Sequence, residues 1–254
     1  VDVFHFDTGS EDSQIKGLVI GNFSESSAII IGASGITVQG NYIGTNPAGT
    51  AAKPNEIGLT NTGTGTSQGA LIGGLNPAER NIISGNTDGS TASAAYPSTD
   101  WVIQGNYIGV GADGVTAIPN ATTSGSGALS IDYCSDVLVG GDQVGAANVI
   151  SGNLSYGIAP DNSPGLHVAG NYIGTDYTGT QAVPNLMGII ISDDQQGTVI
   201  GGPTSAERNI ISGNTIAGVL TASSTGVIQV SGNYIGLKKT GVAALPNGTG
   251  MIIA

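Results

Sequence analysis

Short apolar runs of three to five residues, rich in Ile and Val and bounded by Gly or Asn, recur along the whole chain. Residues 187–216 show the unit most plainly. Gly188-Ile189-Ile190-Ile191 is one run, residues 192–197 are a turn by composition, and Thr198-Val199-Ile200 is a second run. Residues 201–208 then form a loop, and Asn209-Ile210-Ile211-Ser212 is the third run. Gly213-Asn214 turns into Gly218-Val219-Leu220, which opens the series again. Lengths this short, with β-branched enrichment, predict strands. No segment carries the i, i+3, i+4, i+7 apolar stripe with caps that a helix needs, so little helix is expected. Three short strands per unit make one coil of a solenoid.

The units are tied to two refrains. Gly-Asn-Tyr-Ile-Gly stands at residues 40–44, 105–109, 170–174 and 232–236. Between these copies run Arg80-Asn81-Ile82-Ile83-Ser84-Gly85-Asn86, then residues 148–153, then 208–214. Both share Asn-x-Ile or Asn-x-Val, which gives the series Asn41, Asn81, Asn106, Asn148, Asn171, Asn209 and Asn233. Rungs are predicted to begin near Ala28, Ile57, Ala94, Ala128, Gly157, Gly188 and Gly218, about seven full coils with a half rung at either end. Ile43, Ile83, Ile108, Ile150, Ile173, Ile211 and Ile235 should face inward. The Asn series should stack on itself along the axis, where side-chain amides can satisfy the backbone of neighbouring coils. Alternate rungs carry a long loop after Tyr-Ile-Gly, each closing on Pro-Asn at Pro54, Pro119, Pro184 and Pro246. Proline there fixes φ and removes a donor, which suits a loop leaving a sheet.

Gly-Asn-Tyr-Ile-Gly, Pro-Asn-x-x-Gly, Ile-Gly-Gly and Arg-Asn-Ile-Ile-Ser-Gly-Asn resemble the right-handed parallel β-helix repeats of large bacterial secreted and cell-surface proteins. The resemblance covers about residues 27–254. It implies an all-β fold, a single-stranded right-handed parallel β-helix with three short strands per coil, in an extracellular setting. It implies no one activity, because that repeat class serves lyases, hydrolases, adhesins and filament-like proteins alike.

Composition narrows the partners. Of 254 residues, 9% are charged, 43 are Gly and 39% are apolar, which fits an ordered, turn-rich β structure better than disorder. The net charge of −12 leaves no basic patch for nucleic acid, and Lys238-Lys239 is the only adjacent basic pair. No run approaches the roughly 18 apolar residues of a membrane span, so no membrane insertion is expected. Val1-Asp2-Val3 lacks the basic start and apolar core of a secretory leader, as in a processed product or a trimmed piece. The single cysteine, Cys134, excludes an internal disulfide and reads as a small packed hydrophobe.

The chemistry-bearing residues gather at one corner. Asp132, Asp136, Asp161, Asp193 and Asp194, with Asp100 on the same edge, fall in the turn between first and second strands. On rungs about 4.8 Å apart they would line up, and Ca²⁺ is the metal such oxygen ligands would suit. No other cofactor is expected. Polysaccharide hydrolases of this fold need paired Asp residues, and lyases need a base beside calcium. His167, in Leu166-His167-Val168, would be the addition to a hydrolase site. The sequence has no Asn-Thr-Asp, Gly-His-Gly or Arg-x-Lys, and all six basic residues stand elsewhere: Lys16, Lys53, Arg80, Arg208, Lys238 and Lys239. No catalytic residue is therefore assigned. Arg80 and Arg208 follow Glu79 and Glu207 in matching loops, but the third copy has Ala146-Ala147, which marks a surface role.

Three classes follow. A structural surface solenoid needs only the stacked coils, and is the first expectation, with self-association end to end into a filament. A carbohydrate-binding module would dock surface polysaccharide on an exposed aromatic groove, for which Trp101 and the outward Tyr42, Tyr107, Tyr172 and Tyr234 are the supply. A pectinase-like enzyme would need basic residues beside the carboxylates.

Overall fold

The computed structural model describes residues 3–61, 67–88, 98–120, 127–192, 196–222 and 226–254. The chain coils as a parallel β-helix with three faces. The second face is one eight-stranded parallel sheet running from Gln14–Lys16 to Ile228–Ser231. The third face is another, of two-residue strands from Val19–Ile20 to Tyr234–Ile235. The first face is described in two parts. Phe4–Phe6, Ser27–Ile31 and Ile57–Thr60 form one, and five strands from Gly127–Asp132 to Thr249–Ile253 form the other. Among the described residues there is no α-helix, and Pro77–Glu79 is a single 3₁₀ turn.

The predicted rung starts at Ala28, Ile57, Ala128, Gly157, Gly188 and Gly218 all fall inside first-face strands. The start at Ala94 lies outside the described residues. The N-terminal stretch, expected as a half rung, places a strand on each face, because Ile15 and Ile20 turn into the core like their later counterparts. The stack thus has eight strands on the second and third faces, where spacing predicted about seven full rungs.

Side-chain alternation decides what each strand buries. On the third face Tyr42 pairs with Ile82, Ile82 with Tyr107, Tyr107 with Val149, and so on to Ile210 with Tyr234, all facing out. The next residue of each strand faces in. Ile43, Ile83, Ile108, Ile150, Ile173 and Ile211 are at most 2% exposed, and Ile235, at the last third-face strand, is half-buried. Trp101 belongs to this core as well. It is 0% exposed with its indole N–H on Ser67 Oγ, so it offers nothing to a docking groove.

The predicted asparagine ladder runs without a break. From Asn41 to Asn233, each Nδ2 donates to the next Oδ1 at 2.9–3.1 Å. Asn171 shows how completely one amide is used. Its Nδ2 donates to Asn209 Oδ1 and to the Val139 carbonyl, and its Oδ1 accepts from the backbone and side-chain N–H groups of Asn148. A second ladder of seven occupies the corner between the third and first faces: Asn55, Asn86, Asn120, Asn153, Asn185, Asn214 and Asn247, linked at 3.0–3.2 Å. It joins the Asn of the Pro-Asn loop ends to the Asn of Ser-Gly-Asn. The closing glycine of Gly-Asn-Tyr-Ile-Gly follows from it. Gly174 has φ 86, and a Cβ there would land on the Asn214 side chain and the Ser212 carbonyl.

The four long loops stack too. Each is pinched at its base by an antiparallel bridge, Thr45 with Ala52 in the first copy. Each then hydrogen-bonds to the loop two coils away: Ala112 N–H to Gly49 O, Tyr177 N–H to Gly114 O, Lys239 N–H to Gly179 O.

Truncating a ladder amide leaves buried donors and acceptors unpaired. Asn171→Ala and Asn120→Ala are each expected to lower unfolding stability by about 1–3 kcal/mol. Asn46→Ala, in an exposed loop, should cost less. Urea denaturation of the three variants checks the order, and an unchanged midpoint for Asn120→Ala would remove the second ladder's role.

Candidate functional site

Strand register brings two of the predicted acidic residues together. Asp132 and Asp161 end adjacent first-face strands and are direct cross-strand partners. The same column continues to Ser192 on the next coil, where a cleft of about 230 Å³ is lined by Ser130, Asp132, Tyr156, Asp161, Ile190 and Ser192. Asp161 Oδ1 accepts from Asn162 Nδ2 at 2.9 Å. Burial first, and then the neighbouring Asp161 charge, together push the Asp132 carboxyl up to about 7. Two carboxylates one rung apart repel by about 3 kcal/mol at an effective dielectric of about 20. The pair therefore relieves its strain by holding a proton.

The other members stand apart. Asp136 is on the turn beyond, in a left-handed conformation with φ 56, and its side chain abuts Gly165 rather than the pair. Asp100 adopts the same conformation and accepts from Gln68 Nε2. Asp193 and Asp194 lie outside the described residues. Among the described residues no group of three or more His, Cys, Asp or Glu is placed to share a metal ion. His167 is on the second face, with Nε2 bonded to the Gly201 carbonyl at 2.9 Å. None of the residues lining the Asp132 cleft is Lys, Arg or His. What the corner provides chemically is one exchangeable proton near neutrality. Cys134 lies beside it, buried, with its thiol donating to the Asp132 carbonyl and burial pushing it up to about 11.

The outer side of the third face is more constructed. Each tyrosine of Gly-Asn-Tyr-Ile-Gly lies beneath its own long loop, so closely that a Cβ on Gly49, Gly114, Gly179 or Gly241 would strike the ring. The loops thus shelter the rings that the sequence offered to an exposed groove. The cations are what the sequence did not show. Arg80 lies over the Tyr107 ring, 4.1 Å from its centroid, with Nε on the Gly105 carbonyl at 3.0 Å. Arg208 repeats this on Tyr234 and Gly232, at 4.2 and 2.9 Å. Lys239 Nζ is 5.1 Å from the Tyr172 centroid. Burial raises the Tyr107 hydroxyl above its ordinary value despite the nearby guanidinium, so the phenol stays neutral.

Fold and surface together define a parallel β-helix of repeated coils with loops stacked along one face. No family model, no curated protein and no solved structure matched the chain.

The Asp132 proton gives a pH test. The folded value near 7 exceeds the ordinary carboxyl value near 4, so the folded state holds the extra proton between them. Stability should fall as pH rises from about 4 to 7 and then flatten. After discounting for its partial exposure, the loss is about 1–2 kcal/mol. Asp132→Asn should flatten this slope and raise the pH 8 denaturation midpoint, and a slope unchanged in the variant would assign it elsewhere.

Proposed function

We propose that the chain is a non-enzymatic structural solenoid of an extracellular or cell-surface protein, a stiff rod that displays loops along one face. The observation that supports this most directly is the pair of seven-membered asparagine columns running the length of the stack. A coil held at two corners by bidirectional amide bonds has little room to bend or shear against its neighbours. Buried ladders and closely set glycines also favour resistance to proteolysis, because cleavage requires local opening.

The proposal includes self-association. Thr249–Ile253 pairs with Ala217–Ala222 on one edge, and Ile253 is 79% exposed. A parallel strand added to the other edge would continue the first face in the register the stack already uses.

Electron microscopy of the purified protein tests the reading. Straight particles near 38 Å long are expected, from eight rungs about 4.8 Å apart. Concentration-dependent end-to-end growth should be blocked by Ile252→Pro, and bent or irregular particles would sink the rod. Pectin-like polymers should remain intact in the presence of the protein. New reducing ends or unsaturated product, lost on Asp132→Asn with Asp161→Asn, would overturn the non-enzymatic part.

A further inference from the structure

Two clefts on the third face repeat each other position for position. One, of about 260 Å³, is lined by Gly40, Tyr42, Ala78, Arg80, Ile82 and Ala112. The other, of about 310 Å³, has Gly170, Tyr172, Ala206, Arg208, Ile210 and Lys239 at the matching places. Ile82 and Ile210 are four rungs apart along the sheet order, so the clefts recur at roughly 19 Å on one line parallel to the axis.

The guanidinium in each is fixed and uncompensated. Its Nε is on a backbone carbonyl and its plane is over a tyrosine, which sets orientation without using the two Nη groups. Among the described residues no carboxylate lies within ion-pair distance of either arginine. The adjacent acids are occupied on their own loops. Glu79 Oε2 accepts the Asn76 N–H, and Glu207 Oε2 accepts the Thr204 N–H and hydroxyl. In a chain of net charge −12, two positioned and unneutralised guanidiniums on one line are a specific departure. A planar fork of free N–H groups matches a carboxylate.

We propose that these clefts are subsites for the carboxylates of an acidic polysaccharide lying along the rod. A small free anion would engage one cleft only. A ligand that uses both must present carboxylates at regular distances on an extended chain. A polyuronate does so on a stiff chain with one carboxylate per ring, whereas an acidic peptide is flexible and must first be ordered to hold its carboxylates at set distances. Tyr42 and Tyr172, partly covered by their loops, line each subsite beside the arginine with their remaining accessible surface. The second subsite is the stronger one, because Lys239 stands where the first has Ala112. Both are set by the same backbone bond, Lys239 N–H to Gly179 O and Ala112 N–H to Gly49 O.

Affinity measurements with polygalacturonate, its fully methyl-esterified form and poly-glutamate test the assignment on the intact chain. Polygalacturonate should bind, and esterification should abolish binding. Arg208→Gln with Lys239→Ala should weaken it about tenfold or more. Ala112→Lys, which adds a cation without removing any contact of the ring stack, should tighten it. This last variant keeps the test decisive if loss of Arg208 also destabilises the fold. No binding to polygalacturonate, equal binding to its ester, equal or tighter binding to poly-glutamate, or no gain with Ala112→Lys would each overturn the proposal.

Discussion

Everything in this structure depends on a side-chain amide that can donate and accept along the stacking axis at once. A solenoid corner must break its strand, and at that point backbone N–H and C=O groups are buried without ladder partners. Leaving such groups unpaired costs about 1–3 kcal/mol each. Asparagine answers this with one short side chain, because its amide has two donors and a two-lone-pair acceptor. Asn171 uses all of that capacity across three successive coils. The same geometry repeated at two corners means that no coil can shift without breaking bonds to the coils on either side.

That constraint settles the neighbouring residues. The amide needs the chain to leave the strand sharply, so a positive-φ glycine follows Tyr-Ile at Gly44, Gly109, Gly174 and Gly236. The two-residue strand between them has one inward and one outward position, which is why Ile is invariant inside and Tyr alternates with Ile or Val outside. An exposed tyrosine on every second rung must then be covered, and the long Pro-Asn loops do so. Their own stacking, carbonyl to N–H over two coils, makes the cover a second column outside the helix.

The helix itself was legible because its signal is short-range and repeated. Asn-x-Ile fixes a corner and an inward position together, and seven copies outweigh any local ambiguity. The second ladder was present in the same refrains and went unassembled. Asn55 and Asn86 stand in different sequence contexts, one after Pro and one after Ser-Gly, and only the fold shows that they occupy the same corner. The arginine stacks were hidden differently. Glu79-Arg80 reads as a surface charge pair, but Arg80 has extended backbone at φ −62, ψ 126, and the Glu79 carboxylate closes on Asn76 instead. Trp101 looked like an aromatic available for docking, yet its position one residue before Val102–Gln104 turns it inside. At the acidic corner, sequence placed Asp132, Asp136 and Asp161 in one turn. Register alone separates the direct partners Asp132 and Asp161 from Asp136, which follows a left-handed bend at Tyr133.

The division between ladder and loop also decides where such a chain can carry chemistry. Inward positions answer to packing, and corner positions answer to the amide columns, so neither can change one coil at a time. The tips of the loops after Tyr-Ile-Gly are held more loosely, by contact with a tyrosine ring and one backbone bond to the loop two coils away. Ala112, Tyr177 and Lys239 occupy that same bonded position in successive copies, so a small, an aromatic and a cationic side chain are all compatible with it. Arg80 and Arg208 show the same freedom from the other side of the cleft, since Ala147 replaces them in the intervening copy without loss of the strand Val149–Ile150. A repeat rigid in its interior thus leaves a line of independently variable positions on its surface, spaced by the rungs beneath them.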